Sequence, residues 1–164
     1  MKHRKNVRAE VAIWLRDAYS MERGLENMLA WQFGSGKGSS EVQKAKIAHL
    51  SQTRRHVLTV ESLLKSLGSR TPVIESGSIM TEAVKIITES LSHDESIKDL
   101  LTCYAMEHFE IACYKTVVAA AKAAHLPYVV TACQEIISDE EKMAQTLDAI
   151  IPTVVENYLG ATDS

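Results

Sequence analysis

Three glutamates interrupt apolar stripes at positions where leucine would be expected, and a carboxylate so placed needs a chemical partner. At a spacing of about 3.5 residues, one stripe runs Val11, Leu15, Ala18, Glu22, Leu25, Leu29. A second runs Leu100, Tyr104, Glu107, Ile111, Tyr114, Val118, and a third Val130, Cys133, Ile137, Glu140, Ala144, Leu147. An ionised carboxylate buried alone is strongly unfavourable, so it takes up a proton, meets a cation or holds a metal. If the three stripes pack into one bundle, their charges converge. The counter-charge that carboxylates on facing helices take in bundle cores is a pair of iron or manganese ions. With no cation there, the same groups are expected to hold protons well above the usual carboxylate range.

Neighbouring residues extend the set. Glu110 follows Glu107 by one helical turn and either joins the same face, where it could swing between two metals, or points to solvent. In Asp139-Glu140-Glu141-Lys142 only Glu140 falls on the stripe, so the others are read as solvated. A fourth stripe, His49, Thr53, His56, Val60, Leu63, Leu67, offers imidazoles and no carboxylate. A histidine on such a face is more often a hydrogen-bonded core residue than a ligand. His56 is the better candidate and His49 the weaker. Tyr19 and Tyr104, each one turn before a stripe glutamate, either donate hydrogen bonds to those carboxylates or fill the core. For Glu22 and Glu107 the competing reading is a place at the bundle margin, facing Lys or Arg.

Four long helices must carry these side chains. The first is expected over Val7 to Phe33, closed by the Gly34-Ser-Gly-Lys-Gly-Ser-Ser40 loop, and the second runs from Ser40 as N-cap to Leu67, stopped by Gly68. Ser69 to Ser78 reads as a connector, and Met80, Ala83, Val84, Ile87 and Leu91 mark a short amphipathic crossover helix. The third long helix begins near Asp94 or Glu95 and reaches Ala124. Pro127 opens the fourth, and Pro152 is expected to end or kink it near Ala149 to Ile151. Tyr19-Ser-Met-Glu22 recurs as Tyr104-Ala-Met-Glu107, which suggests that two hairpins repeat one pattern.

Composition agrees with an all-α chain: 46% of its 164 residues are hydrophobic, only 5% are aromatic, and three prolines and seven glycines interrupt the helices. That length suits a single domain over residues 1–164. A net charge of −3 gives no footprint for nucleic acid despite the basic first eight residues, and no stretch approaches a membrane span. Three cysteines at 103, 113 and 133 without a CxxC pair read as buried reduced thiols, and together with the lack of a signal-like apolar run they suggest the cytoplasm.

On the runs Leu15-Arg-Asp-Ala-Tyr-Ser-Met-Glu22, His49-Leu-Ser-Gln-Thr53 and Glu107-His-Phe-Glu-Ile-Ala112 followed by Tyr114, the chain resembles the ferritin-like superfamily and, within it, the YciF-type bacterial stress proteins. The resemblance covers about Val11 to Leu147. It implies a ferritin-like four-helix bundle of two antiparallel helix hairpins with a short crossover helix, often dimeric. Rubrerythrin-type relatives reduce peroxide at a di-iron centre built from Glu on two helices, a second Glu one turn later on the third, and Glu-x-x-His on the other two. Position by position, Glu22, Glu107, Glu110 and Glu140 match ligand positions, and His56 matches the imidazole of the second helix. Thr53 stands where that helix would carry Glu, and Met143 stands where the fourth would carry His. Neither is a good iron ligand among oxygen donors.

The reading is therefore a ferritin-like protein with a partial carboxylate-rich metal site at Glu22, Glu107, Glu110, Glu140 and His56. Stress-related redox chemistry or metal handling at iron or manganese is the expected function, and a homodimer is the expected assembly. The alternative is a structural or interaction bundle that keeps the fold and has lost metal binding.

Overall fold

The computed structural model describes residues 6–34, 40–73, 89 and 95–162. Helix α1 spans Val7–Gly34, α2 Ser40–Ser66, α3 Glu95–Ala123 and α4 Pro127–Thr162, and there is no strand among the described residues. The expected crossover helix over Met80 to Leu91 lies, apart from Glu89, outside the described residues.

Local chemistry sets the helix ends. Asn6 caps α1, its side chain accepting from the Ala9 amide at 3.3 Å and its carbonyl from the Glu10 amide at 3.1 Å. Gly68, with φ of 72°, closes α2: its amide donates to the Lys65 carbonyl at 3.0 Å and the Ser69 amide to the Leu64 carbonyl at 2.9 Å. His125, with φ of 56°, makes the same closure after α3, through His125 to Lys122 and Leu126 to Ala121. Burial of Leu126 and Ala121 in one cluster offsets the strain of a non-glycine residue there. The Leu126 carbonyl then accepts from Val129 and Val130, so Pro127 stands in the first turn of α4, where its missing amide costs nothing.

Of the two outcomes expected at Pro152, an end of the helix is not what occurs. The helix continues to Thr162 with Pro152 inside it, because Ile150, Ile151 and Val154 are held in an apolar cluster on both sides of the proline. That burial offsets the lost backbone hydrogen bond.

The pairs α1/α2 and α3/α4 form the two hairpins, with α1 also packed along α3 and α2 along α4. Helices α2 and α3 run in the same direction. Lys46 meets Asp99 at 2.6 Å and, one turn further along α2, His49 meets Glu107. The repeat is structural as well: Met21 and Met106 are both buried beside fully buried Glu22 and Glu107.

The core is divided. One apolar cluster joins Val11 to Met21 of α1 with Val60 to Leu64, Met106 to Ala121 and Leu126 to Ile137. The other joins Leu25 and Leu29 with Val42, Ala45, Leu100, Cys103, Met143, Leu147 and Val154. Between them lies a layer of buried Glu and His side chains. Each fully buried Leu contributes roughly 1.5–3 kcal/mol. One unpaired ionised carboxylate at the same depth would cancel several of them, so the layer must be neutralised.

Among the described residues, no helix is long and apolar enough to cross a membrane. All three cysteines are free; Cys103 and Cys133 are buried as expected, while Cys113 is only half-buried because it sits at the edge of the α3 stripe.

Candidate metal centre

Each helix delivers its share of the polar layer from mid-length, where the apolar stripe faces the bundle axis. Glu22 comes from α1, Glu107 and Glu110 from α3, Glu140 from α4, and His49 and His56 from α2. The four carboxylates are 0–1% exposed, His49 1% and His56 3%. All five residues expected from the sequence are thus brought together. A marginal place for Glu22 and Glu107, and a solvent-facing Glu110, are both ruled out by this burial.

Their donor atoms fall into two groups, each with all atoms within 4.8 Å of one another. One is Glu22, His56 and Glu140; the other is His49, Glu107, Glu110 and Glu140. Glu140 belongs to both. Its Oε1 lies 2.8 Å from His56 Nδ1, and its Oε2 accepts from Gln52 Nε2 at 2.9 Å. His56 Nδ1 is also 3.6 Å from Glu22 Oε1, while its Nε2 faces Asp139 Oδ2 at 3.6 Å. His49 Nε2 lies 2.7 Å from Glu107 Oε1. The Tyr114 hydroxyl donates to Glu22 Oε1 at 2.5 Å.

Much of this polar surface still lacks an aligned hydrogen bond among the described residues. Both oxygens of Glu107 and of Glu110, Glu22 Oε2 and all four ring nitrogens of His49 and His56 are in that state. Buried polar atoms are normally satisfied, so such a concentration of orphans points to a cation. Oxygen and imidazole donors suit iron and manganese, and four ionised carboxylates would balance two divalent ions. The residues present therefore fit a metal pair.

Without a cation the layer holds protons. Burial, the Glu140 charge and then that of Glu22 push Glu107 up to about 10. Burial, with Glu22 and Glu140 beside it, holds Glu110 well above the carboxylate range. Burial also raises Glu22, against the pull of His56. Glu140 departs from the expectation that every carboxylate would rise: burial disfavours its charge, but the His56 imidazole beside it and the neighbouring Glu107 outweigh burial and lower it. Burial opposes the His56 charge as well, yet Glu140 and Glu22 raise that imidazole to about 10. The proton-loaded layer is thus built around a His56–Glu140 ion pair.

The two positions that depart from the ligand pattern are both buried. The Thr53 hydroxyl turns back to donate to the His49 carbonyl at 3.0 Å. Met143 lies in the second apolar cluster with Leu25 and Leu147. Tyr19 and Tyr104 are core-packing residues, Tyr104 with its ring edge-on to His108 at 4.7 Å. The tyrosine that holds Glu22 is Tyr114, two turns beyond Glu107. The stripe marked Tyr114 as buried, but no local signal names a partner on another helix. Gln52 was missed because it lies off the stripe. His49 was under-weighted, although it precedes His56 by two turns on one face.

The fold recurs in solved structures. A protein from Xanthomonas campestris pv. campestris is 26% identical, with 96% of this chain and 99% of that one covered and a TM-score of 0.83. The stress protein YciF of E. coli is 19% identical over 95% of this chain and 99% of that one, TM-score 0.76. Ferritin-like, diiron-carboxylate proteins from Bacillus anthracis str. Ames are 18% identical over 92% and 99%, TM-score 0.72. The last two likenesses establish the ferritin-like helical bundle and nothing finer. Residues 11–160 match a family described as a domain of unknown function, DUF892, and the chain belongs to that family.

Proposed function

We propose that this chain binds iron or manganese in its buried polar layer and performs redox or metal-handling chemistry there, in a stress-related role like that named for YciF. The observation that carries the reading is Glu110, fully buried with both oxygens unpartnered beside three other carboxylates. Iron or manganese bound there would supply one-electron chemistry. The chain supplies the rest. Glu140 is shared by the two donor groups, Gln52 orients it, Asp139 stands behind the His56 ring, and the Tyr114 hydroxyl fixes Glu22. Apolar clusters on either side keep water out. The expected homodimer belongs to the same reading and is checked by light scattering.

Metal analysis after anaerobic loading with ferrous iron or Mn(II) tests the reading. Stoichiometric binding that is abolished in the Glu22→Ala, Glu107→Ala double variant supports it, and no bound metal at any loading rejects it. A second reading, a structural bundle without metal, is favoured by the Thr53 hydroxyl turned onto its own helix and by Met143 in the apolar cluster. The same experiment decides between the two.

A further inference from the structure

The di-iron pattern takes its imidazoles one from each of two helices that carry Glu-x-x-His. This chain breaks both of those motifs, at Thr53 and at Met143. The positions that still match the pattern are four carboxylates, Glu22, Glu107, Glu110 and Glu140, and one imidazole, His56. The buried layer nevertheless holds a second imidazole, His49, at a position the pattern does not use.

We propose that His49 is the second imidazole ligand of this centre, so that both imidazoles come from α2 and none from α4. The inference rests on the metal-binding reading above. His49 is 1% exposed, its Nε2 is 2.7 Å from Glu107 Oε1, and its donor atom falls in one group with those of Glu107, Glu110 and Glu140. Neither ring nitrogen has an aligned hydrogen bond among the described residues, which is not how a histidine retained only for packing is kept. Thr53, one turn after His49, accommodates the change. Its short side chain folds back on the His49 carbonyl at 3.0 Å, on the same face of the helix. Glu110, one turn after Glu107, brings the second carboxylate of α3 to the same donor group.

Two unequal positions result. The one beside His56 has two carboxylates and one imidazole, while the one beside His49 has three carboxylates and one imidazole, with Glu140 shared. The His49 position carries the greater negative charge and takes a divalent ion more tightly. The pattern with one histidine on each motif helix would give more even positions.

The test uses Co(II) and Mn(II) with the full chain, and its readouts are metal content and spectra. In the Co(II)-loaded wild type, two hyperfine-shifted imidazole signals are expected in the proton NMR spectrum. In His49→Gln one of these disappears, and bound Mn(II) falls from about two equivalents to about one while the helical circular dichroism is retained. Only one shifted imidazole in the wild type overturns the inference even if His49→Gln fails to fold. Unchanged stoichiometry and affinity in a folded His49→Gln also overturn it and leave the metal-binding reading standing. A wild type that binds neither ion overturns both.

Discussion

His56 and Glu140 face each other across the bundle at 2.8 Å, Nδ1 to Oε1, and this contact reverses for Glu140 the rise that burial imposes on the other carboxylates of the layer. Against burial, the imidazolium lowers Glu140 below its ordinary value, while burial, with the Glu22 and Glu140 charges beside it, raises Glu107 and Glu110. Proton sharing and metal binding therefore compete for the same atoms.

The metal-free protein is expected to lose stability as pH rises. His56, raised from 6.5 to about 10 in the fold, contributes stability fully present below pH 6.5 and lost as pH climbs toward 10. Glu107, raised from 4.5 to about 10, binds more protons folded than unfolded across that window and acts in the same direction. Glu140, lowered, acts oppositely, and its contribution is lost only as pH falls below 4.5. Thermal melts with chelator present should show a lower Tm at pH 9 than at pH 6 by at least ~4 °C for a chain of this size. An equal or higher Tm at pH 9 contradicts the ionisation described here.

Loading the site should release protons, because Glu107 and His56, each raised to about 10, hold them at neutral pH and a ligand must give them up. Apparent affinity for Mn(II) is expected to rise by at least about tenfold per pH unit between pH 6 and 8. Calorimetry in two buffers of different ionisation enthalpy counts the protons directly. A count of zero would disprove the proton-filled layer.

Replacing Glu140 by Gln should reach both donor groups at once. The variant leaves His56 buried without its ionised partner, at a cost of about 1–3 kcal/mol in chemical denaturation. The His56 titration should move down from about 10, as followed by NMR. Loss of metal from both positions is expected, and retention of either at full affinity would show that Glu140 is not shared.

Removing the Tyr114 hydroxyl as Phe leaves Glu22 without its 2.5 Å donor. A loss of about 1–3 kcal/mol is expected because the acceptor stays buried. Urea unfolding measures it, and a change below ~0.5 kcal/mol would mean that Glu22 finds another partner.

Met143→Leu separates core from site. Met143 packs with Leu25, Leu29 and Leu147, so the swap should cost less than about 1.5 kcal/mol and leave metal content unchanged. Loss of metal on this substitution would make Met143 a ligand after all.

Stripe periodicity alone determined the four helices and put Glu22, Glu107 and Glu140 on their inner faces, because a 3.6-residue repeat fixes which side chains share a face. It also marked Gly68 and Pro127 as ends, since each acts through its own backbone. The continuation of α4 through Pro152 was not legible, because it depends on Val154 finding a cluster built from the other helices. Nor were the burial of Glu110, the Tyr114–Glu22 hydrogen bond or the approach of His49 to Glu107. Those are relations between separate helices, set by how the rods rotate and slide against one another. Helical spacing constrains one rod at a time, so only the tertiary structure decided which donors meet.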